Sequence, residues 1–341
     1  MLLLCIESSC DETAAAVVRD GRKVLSNIVA SQVDVHARYG GVVPELASRK
    51  HLEAISVVIE QALAEADTPL DAIEGVAVTR GPGLVGALLV GLSTAKSLAW
   101  ARKLPLVGLH HIEGHILAPL LEGEIAFPYL ALAVSGGHTH LYRVDGIGRY
   151  RTIGRTLDDA SGEAYDKVAK LLGLGYPGGA LIDQLAAEGD PQAIRFPRPM
   201  LHSGNLDFSF SGIKTAVMNH VRQAGTLDAD AKANVAAGFQ AAVVEVLTSK
   251  TLAAARQEGL ERIVVAGGVA CNRGLRRRFA ELADRDQLQV AFPSPSLCGD
   301  NAAMLGVAGD HYLSAGQSAL LDLNAVATWP LDQVGSSGFR G

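Results

Sequence analysis

Two stretches of this chain follow one plan. Leu2 to Ile6 is an apolar run, Glu7-Ser8-Ser9-Cys10-Asp11-Glu12-Thr13 is a polar turn, and Ala14 to Arg19 is a second run. About 125 residues later, Tyr129 to Ser135 leads into Ser135-Gly136-Gly137-His138-Thr139 and then into His140 to Val144. Short apolar runs bounded by small polar residues predict buried strands joined by tight turns. One such hairpin constrains little. Two, at the heads of halves of similar size, predict an α/β chain with a duplicated core, a sheet in each half and a nucleotide between them.

The rest of the chain fits that plan. Val24 to Val29 reads as a third strand and Glu74 to Thr79 as a fourth. Glu45 to Ala66 carries Leu46, His51, Ile55, Val58, Ile59 and Leu63 at helical spacing. Leu84 to Lys103 is apolar nearly all round and predicts a buried helix. The turn before it, Arg80-Gly81-Pro82-Gly83, is either a plain strand-to-helix turn or a backbone ready to meet an anion. Pro105 to Leu109 is a further strand. In the second half Asp158 to Leu172 predicts a helix, which Gly173 to Gly179 breaks. Asp228 to Glu258 predicts a long helix with Gly238 as its kink point. Glu261 to Ala266, Gly267-Gly268 and the N-cap Asn272 before Arg273 to Leu282 form a strand, glycine turn and capped helix, an arrangement suited to a nucleotide. A last helix is expected over Ala302 to Ser314, with Asp300 near its start, where capping is the ordinary task of an aspartate.

Composition narrows the function. A net charge of −6 excludes a general nucleic-acid binder, so any such contact needs a local basic patch or a partner. The densest basic cluster is Arg273, Arg276, Arg277 and Arg278, which otherwise reads as a solvated helix face. Four scattered cysteines form neither a disulfide framework nor a zinc knuckle. The start of the chain lacks the basic leader and apolar length of a signal peptide, and the longest apolar stretch is too short to span a bilayer. The expected location is the cytoplasm, away from membranes.

The chemistry centres on His110-His111-Ile112-Glu113-Gly114-His115. Four residues turn a helix by about 400° and advance it by about 6 Å, so His111 and His115 project from one face. They suit one shared cation, and a third ligand must come from elsewhere. A zinc protease would place its glutamate directly after the first histidine. Here Glu113 lies roughly 200° from His111 and points away from the shared face.

Over Met1 to about Pro330 the chain resembles the family of bacterial transferases that make threonylcarbamoyladenosine in tRNA, once named glycoproteases. The matching stretches are Ile6 to Thr13, Tyr39 to Arg49, His111 to His115, Val134 to Thr139, the Asp166 and Gly178-Gly179 region, Phe208 to Gly212, Gly267 to Asn272 and Asp300-Asn301. The resemblance implies the two-lobed actin/hexokinase/Hsp70-like ATPase fold. Expected boundaries are an N-terminal lobe over 1–125, with a final helix over 300–324 packing back between the lobes, a C-terminal lobe over 126–299, and a loose tail over 325–341.

The resemblance also implies the site. His111, His115 and Asp300 would hold one divalent metal, iron first, zinc or magnesium otherwise. Val134, Ser135, Gly136, Gly137, His138, Asp166, Gly179, Asp183 and Asn272 would line the pocket for an adenylate substrate, or for ATP in the same place. The reaction implied moves a threonylcarbamoyl group from threonylcarbamoyl-adenylate to the exocyclic amine of the adenosine beside the anticodon in ANN-decoding tRNAs, releasing AMP. Asp11 and Glu12 are candidates for the general base. Implied partners are tRNA, an inert relative of the same fold, a small P-loop ATPase and an upstream adenylate-forming enzyme. Arg195, Arg198 and Arg276 to Arg278 are candidate tRNA contacts. A carbamoyltransferase or small-molecule kinase on the same fold is the alternative reading.

Overall fold

The computed structural model describes residues 1–337, so the final four residues of the expected tail lie outside it. Contacts divide the chain into two compact units. One comprises Met1–Ala126, Asp145–Tyr150 and the chain from Pro293 onward; the other comprises Phe127–Val144 and Arg151–Phe292.

The first unit is built on β1 (Leu2–Glu7), β2 (Glu12–Arg19), β3 (Lys23–Ser31), β4 (Gly75–Gly81) and β5 (Leu106–His110), in the order β3-β2-β1-β4-β5. β1–β2 and β2–β3 are antiparallel, while β1–β4 and β4–β5 are parallel. Parallel neighbours need a crossover, and helices supply it. The Pro44–Glu65 helix, with proline in its first turn, buries Ala47, His51, Ile55, Val58, Ile59 and Ala62. The Val85–Arg102 helix links β4 to β5. It is not buried all round: Val85, Leu89 and Trp100 are exposed, Trp100 at 72%. Its small residues serve close approach instead, since a Cβ at Gly91 would collide with Ser8 Oγ.

The second unit repeats the order. β6 (Tyr129–Val134), β7 (Thr139–Gly146), β8 (Arg149–Arg155), β9 (Arg262–Ala266) and β10 (Gln289–Ala291) run β10-β9-β6-β7-β8. β6–β7 is antiparallel and β6–β9 and β9–β10 are parallel. Each unit therefore sets its opening hairpin beside two parallel strands. The hairpin signal in the sequence marks a real duplication of the core.

Three local expectations change. The helix over Ala229–Glu258 runs through Gly238, where the Ile194 carbonyl oxygen comes too near for any Cβ. The final helix is shorter than expected: a 3-10 turn over Ala303–Leu305 precedes a helix over Gly306–Ser314, and residues 317–324 contain no helix. The Arg80–Gly83 turn has its backbone engaged. Gly83 N–H donates to the Ala327 carbonyl at 3.2 Å and Leu84 N–H to the Ser9 carbonyl at 2.9 Å, so these two amides serve the fold.

Candidate metal centre and glycine-lined site

The His111–Leu117 helix starts where β5 ends, and all seven of its residues are buried. His110 caps it. Its Nδ1 accepts from Ile112 N–H at 3.1 Å, and its Nε2–H donates to the Trp329 carbonyl at 2.8 Å. The rings of His111 and His115 then stand perpendicular with centroids 4.7 Å apart.

Asp300 meets them from the far end of the same unit. Its Oδ1 lies 3.0 Å from His115 Nε2 and 3.5 Å from His111 Nε2. The capping task expected of Asp300 belongs to its neighbour. Asn301 Oδ1 accepts from Met304 N–H at 3.0 Å, and its amide holds the Leu297 and Gly299 carbonyls at 3.3 and 2.9 Å. The Asp300 carboxylate faces the histidines instead.

The ligand atoms of His111, His115 and Asp300 all lie within 4.8 Å of one another. Two imidazoles and one carboxylate fit a divalent cation with open positions. The Nε2 atoms of both buried histidines face the same Asp300 oxygen, so the three donors converge on one point.

Around this cluster the strand ends carry charge. Glu7 is fully buried. Its Oε1 accepts from Ser9 N–H at 2.5 Å, and its Oε2 takes Thr79 Oγ1 and faces His111 Nδ1 at 3.2 Å. Ser9 Oγ also lies 3.0 Å from that nitrogen. Burial pushes the Glu7 carboxyl up, but the charge and hydrogen bond of His111 pull it below the usual carboxylate value. For His111, burial acts downward, and Asp300 and Glu7 together overcome it and raise the ring to about 9 in the metal-free protein. Glu12 is pushed up to about 10, chiefly by burial and then by Asp300 and Asp11.

Two other sequence readings resolve. Glu113 does point away from the histidine face. It is buried, accepts from the Tyr150 and Tyr312 hydroxyls at 2.6 Å each, and is raised to about 7 by burial. It anchors the helix and is no protease base. Ser8, in the polar turn expected after Ile6, is buried and donates to the Ala87 carbonyl at 2.9 Å while accepting from Gly91 N–H. Spacing gave no hint of Glu7, Ser9 or Thr79 beside His111. Only the matching Ile6–Thr13 stretch carried a signal for the first two.

In the second unit Val134 ends β6, Ser135 to His138 form the turn after it, Gly179 and Asn272 lie at helix starts, and Asp166 and Asp183 lie inside helices. Ser135 N–H donates to the His138 carbonyl at 2.8 Å, and His138 N–H to Ser135 Oγ at 3.2 Å, closing the Gly136-Gly137 loop. Gly162, at the start of the Ser161–Leu172 helix, donates to the Ser135 carbonyl at 3.2 Å. Gly267 has a φ of 97° and sits so close to the Val134 carbonyl that a side chain is excluded. Asp166 Oδ1 accepts from Gly178 N–H at 2.7 Å, at the start of the Gly178–Ala186 helix. Asn272 caps the Arg273–Asp286 helix through Leu275 N–H at 2.8 Å and donates to Gln240 Oε1 at 2.6 Å. Asp183 pairs with Arg273 Nε at 2.7 Å. Beyond Gly136, Gly137, Gly179 and Gly268 a Cβ would meet nothing within 4 Å. The main chain is open at these four positions.

Residues 23–307 match the model of the tRNA N6-adenosine threonylcarbamoyltransferase family. The chain belongs to this family. It is 70% identical over 336 residues to the tRNA N6-adenosine threonylcarbamoyltransferase of Syntrophotalea carbinolica, covering 98% of each chain. It is 67% identical to the protein of that name from Trichlorobacter lovleyi, again over 98% of each. Among solved structures it is similar to T. kodakarensis HypF, with a TM-score of 0.63 at 13% identity, over 92% of this chain and 48% of that one. It also resembles component A of the Acidaminococcus fermentans (R)-2-hydroxyglutaryl-CoA dehydratase, with a TM-score of 0.56 at 13% identity, over 92% and 99%. At such identity these last two speak for the fold alone, and the fold is the actin/hexokinase-like α/β type with a duplicated core.

Proposed function

We propose that this protein transfers a threonylcarbamoyl group from threonylcarbamoyl-adenylate to N6 of an adenosine beside the anticodon in ANN-decoding tRNA. The observation that carries this reading is near-full-length identity to relatives bearing that activity in their name. His111, His115 and Asp300 would hold one divalent cation. Two imidazoles with one carboxylate and open positions are the donor set typical of ferrous iron, with zinc or magnesium as alternatives. When bound, such an ion polarises an acyl or phosphoryl oxygen and offsets charge on the leaving phosphate.

The remaining work falls to this chain's residues. The open glycines at 136, 137, 179 and 268 admit the adenylate, and Asp166 and Asn272 hold the helix starts that frame it. The N6 amine attacks the carbamoyl carbon, an N–C bond forms, the bond to phosphate oxygen breaks and AMP leaves. The amine proton must go to a base, for which Asp11 and Glu12 are candidates. In the metal-free protein Glu12 keeps its own proton near neutrality, raised to about 10 by burial and by Asp300 and Asp11. A cation at Asp300 offsets part of that cause. Positioning of the two reactants supplies much of the rate in a transfer of this kind.

A net charge of −6 leaves tRNA affinity to local arginines and to partners. Arg276 is spent internally, on the Ala270 carbonyl at 2.7 Å and over the Phe292 ring at 4.7 Å. Arg195 and Arg277 are exposed, whereas Arg198 pairs with Glu245 and Arg278 with Glu281. An inert relative of the same fold, a small P-loop ATPase and an upstream adenylate-forming enzyme complete the proposed system, in the cytoplasm. No helix among the described residues is long and apolar enough to cross a membrane. The test supplies the purified protein and these partners with tRNA and threonylcarbamoyl-adenylate and digests the tRNA for nucleoside mass spectrometry. Threonylcarbamoyladenosine is the expected product. Its absence, with phosphoryl transfer to a small molecule instead, would sink the reading.

A further inference from the structure

The geometry points to Glu7 as the positioning residue that selects which nitrogen of His111 faces the cation. This rests on the metal reading of His111, His115 and Asp300. Glu7 ends β1 and is fully buried, a costly place for a carboxylate unless its oxygens are satisfied. Every group around it is arranged to donate. Ser9 N–H, an obligate donor, lies 2.5 Å from Oε1. Thr79 Oγ1 donates to Oε2. His111 Nδ1 lies 3.2 Å from Oε2. An ionised carboxylate only accepts, so Nδ1 must carry its proton. Ser9 Oγ, at 3.0 Å, is then a second acceptor for the same N–H.

The consequence falls on the other side of the ring. With the Nδ1 proton held by Glu7, Nε2 presents its lone pair to Asp300 Oδ1 at 3.5 Å. Two electron-rich atoms at that distance require a positive charge between them, a proton or a metal ion. Carboxylate behind imidazole behind metal is a known way to fix ring orientation and raise ligand basicity. Thr79, on β4, and the Ser9 amide fix the carboxylate in turn. Strands β1 and β4 and the turn after β1 thus set a single tautomer.

The experiment measures zinc affinity by competition with a chelating indicator, using zinc alone and the full chain. Three proteins are compared: wild type, Glu7→Gln and His111→Ala. Glu7→Gln should weaken zinc binding about 10- to 100-fold, because its amide must point an N–H at a donor. Far-UV circular dichroism of the metal-free forms separates lost orientation from lost fold. Should Glu7→Gln not fold, Glu7→Asp replaces it and should give an intermediate loss, since the charge stays but the reach shortens. Ring 15N spectra of zinc-loaded wild type should show a protonated Nδ1 and a metal-shifted Nε2 at His111. Wild-type affinity in folded Glu7→Gln, or zinc on Nδ1, would overturn the inference while zinc loss in His111→Ala keeps the metal site. Zinc binding equal in wild type and His111→Ala would overturn the metal reading and this inference with it.

Discussion

His115 Nε2 lies 3.0 Å from Asp300 Oδ1 although 185 residues of chain separate them. A helix start after β5 and a loop stapled by Asn301 bring them together. If this pair and His111 hold the cation, removing any one ligand should release it. His111→Ala, His115→Ala and Asp300→Ala should each lose bound metal and transfer together, with metal read by plasma mass spectrometry and transfer by nucleoside analysis. Full metal occupancy in His111→Ala would show that the ion sits elsewhere.

Metal uptake should depend on pH through His111. Its folded value of about 9 lies above the ordinary 6.5. In the metal-free protein the protonated ring therefore contributes stability that is complete below 6.5 and fades as pH rises through about 9. A cation must displace that proton, so apparent affinity should climb from pH 6 to about 9 and then level off, with proton release on binding. Isothermal titration in buffers of different ionisation enthalpy counts the protons. A flat profile across that window would contradict the assignment.

Adjacent glycines should behave oppositely. At Gly178 a Cβ would come 2.5 Å from Ala169 Cβ and 2.7 Å from Asp166 Cα, so Gly178→Ala should destabilise by about 1–3 kcal/mol, as overpacking does. At Gly179 a Cβ meets nothing within 4 Å, so Gly179→Val should change the melting temperature little. It should instead raise the KM for the adenylate by filling the open space there. Thermal melts with steady-state kinetics on both variants decide this. Equal behaviour would argue against a ligand at Gly179.

Asn272 should carry two losses at once. Asn272→Ala removes the cap on Leu275 N–H, worth about 1 kcal/mol, and leaves Gln240 without its 2.6 Å donor. Asn272→Asp keeps the cap but cannot donate to Gln240. Denaturant melts should therefore rank wild type, Asp and Ala in falling order, and an Ala variant as stable as wild type would rule out the cap.

The duplicated core was legible in the chain because strand hairpins are local. Apolar runs and small polar turns are set by neighbours within a few residues, and both halves display them. The histidine pair was legible for the same reason, as was Glu113 turning away, since 3.6 residues per turn decides both. Asn272 as a cap followed from its place before a helix.

What the chain order could not decide is which distant groups share a space. Asp300 looked like an ordinary cap, yet Asn301 caps and Asp300 faces the histidines. Ser8 reads in the sequence only as part of a polar turn, yet the helix after β4 packs near enough to bury its hydroxyl and hold it in two hydrogen bonds. The Val85–Arg102 helix looked buried all round, yet composition cannot say which face meets the sheet, and Trp100 stays exposed. Glu7 showed no periodicity and no motif of its own. Only the pairing of β1 beside β4, and β4 beside β5, sets its carboxylate between Thr79 and His111. Local sequence determined the elements and the direction of their side chains. Strand order, a matter of long-range burial, decided which buried charges face one another.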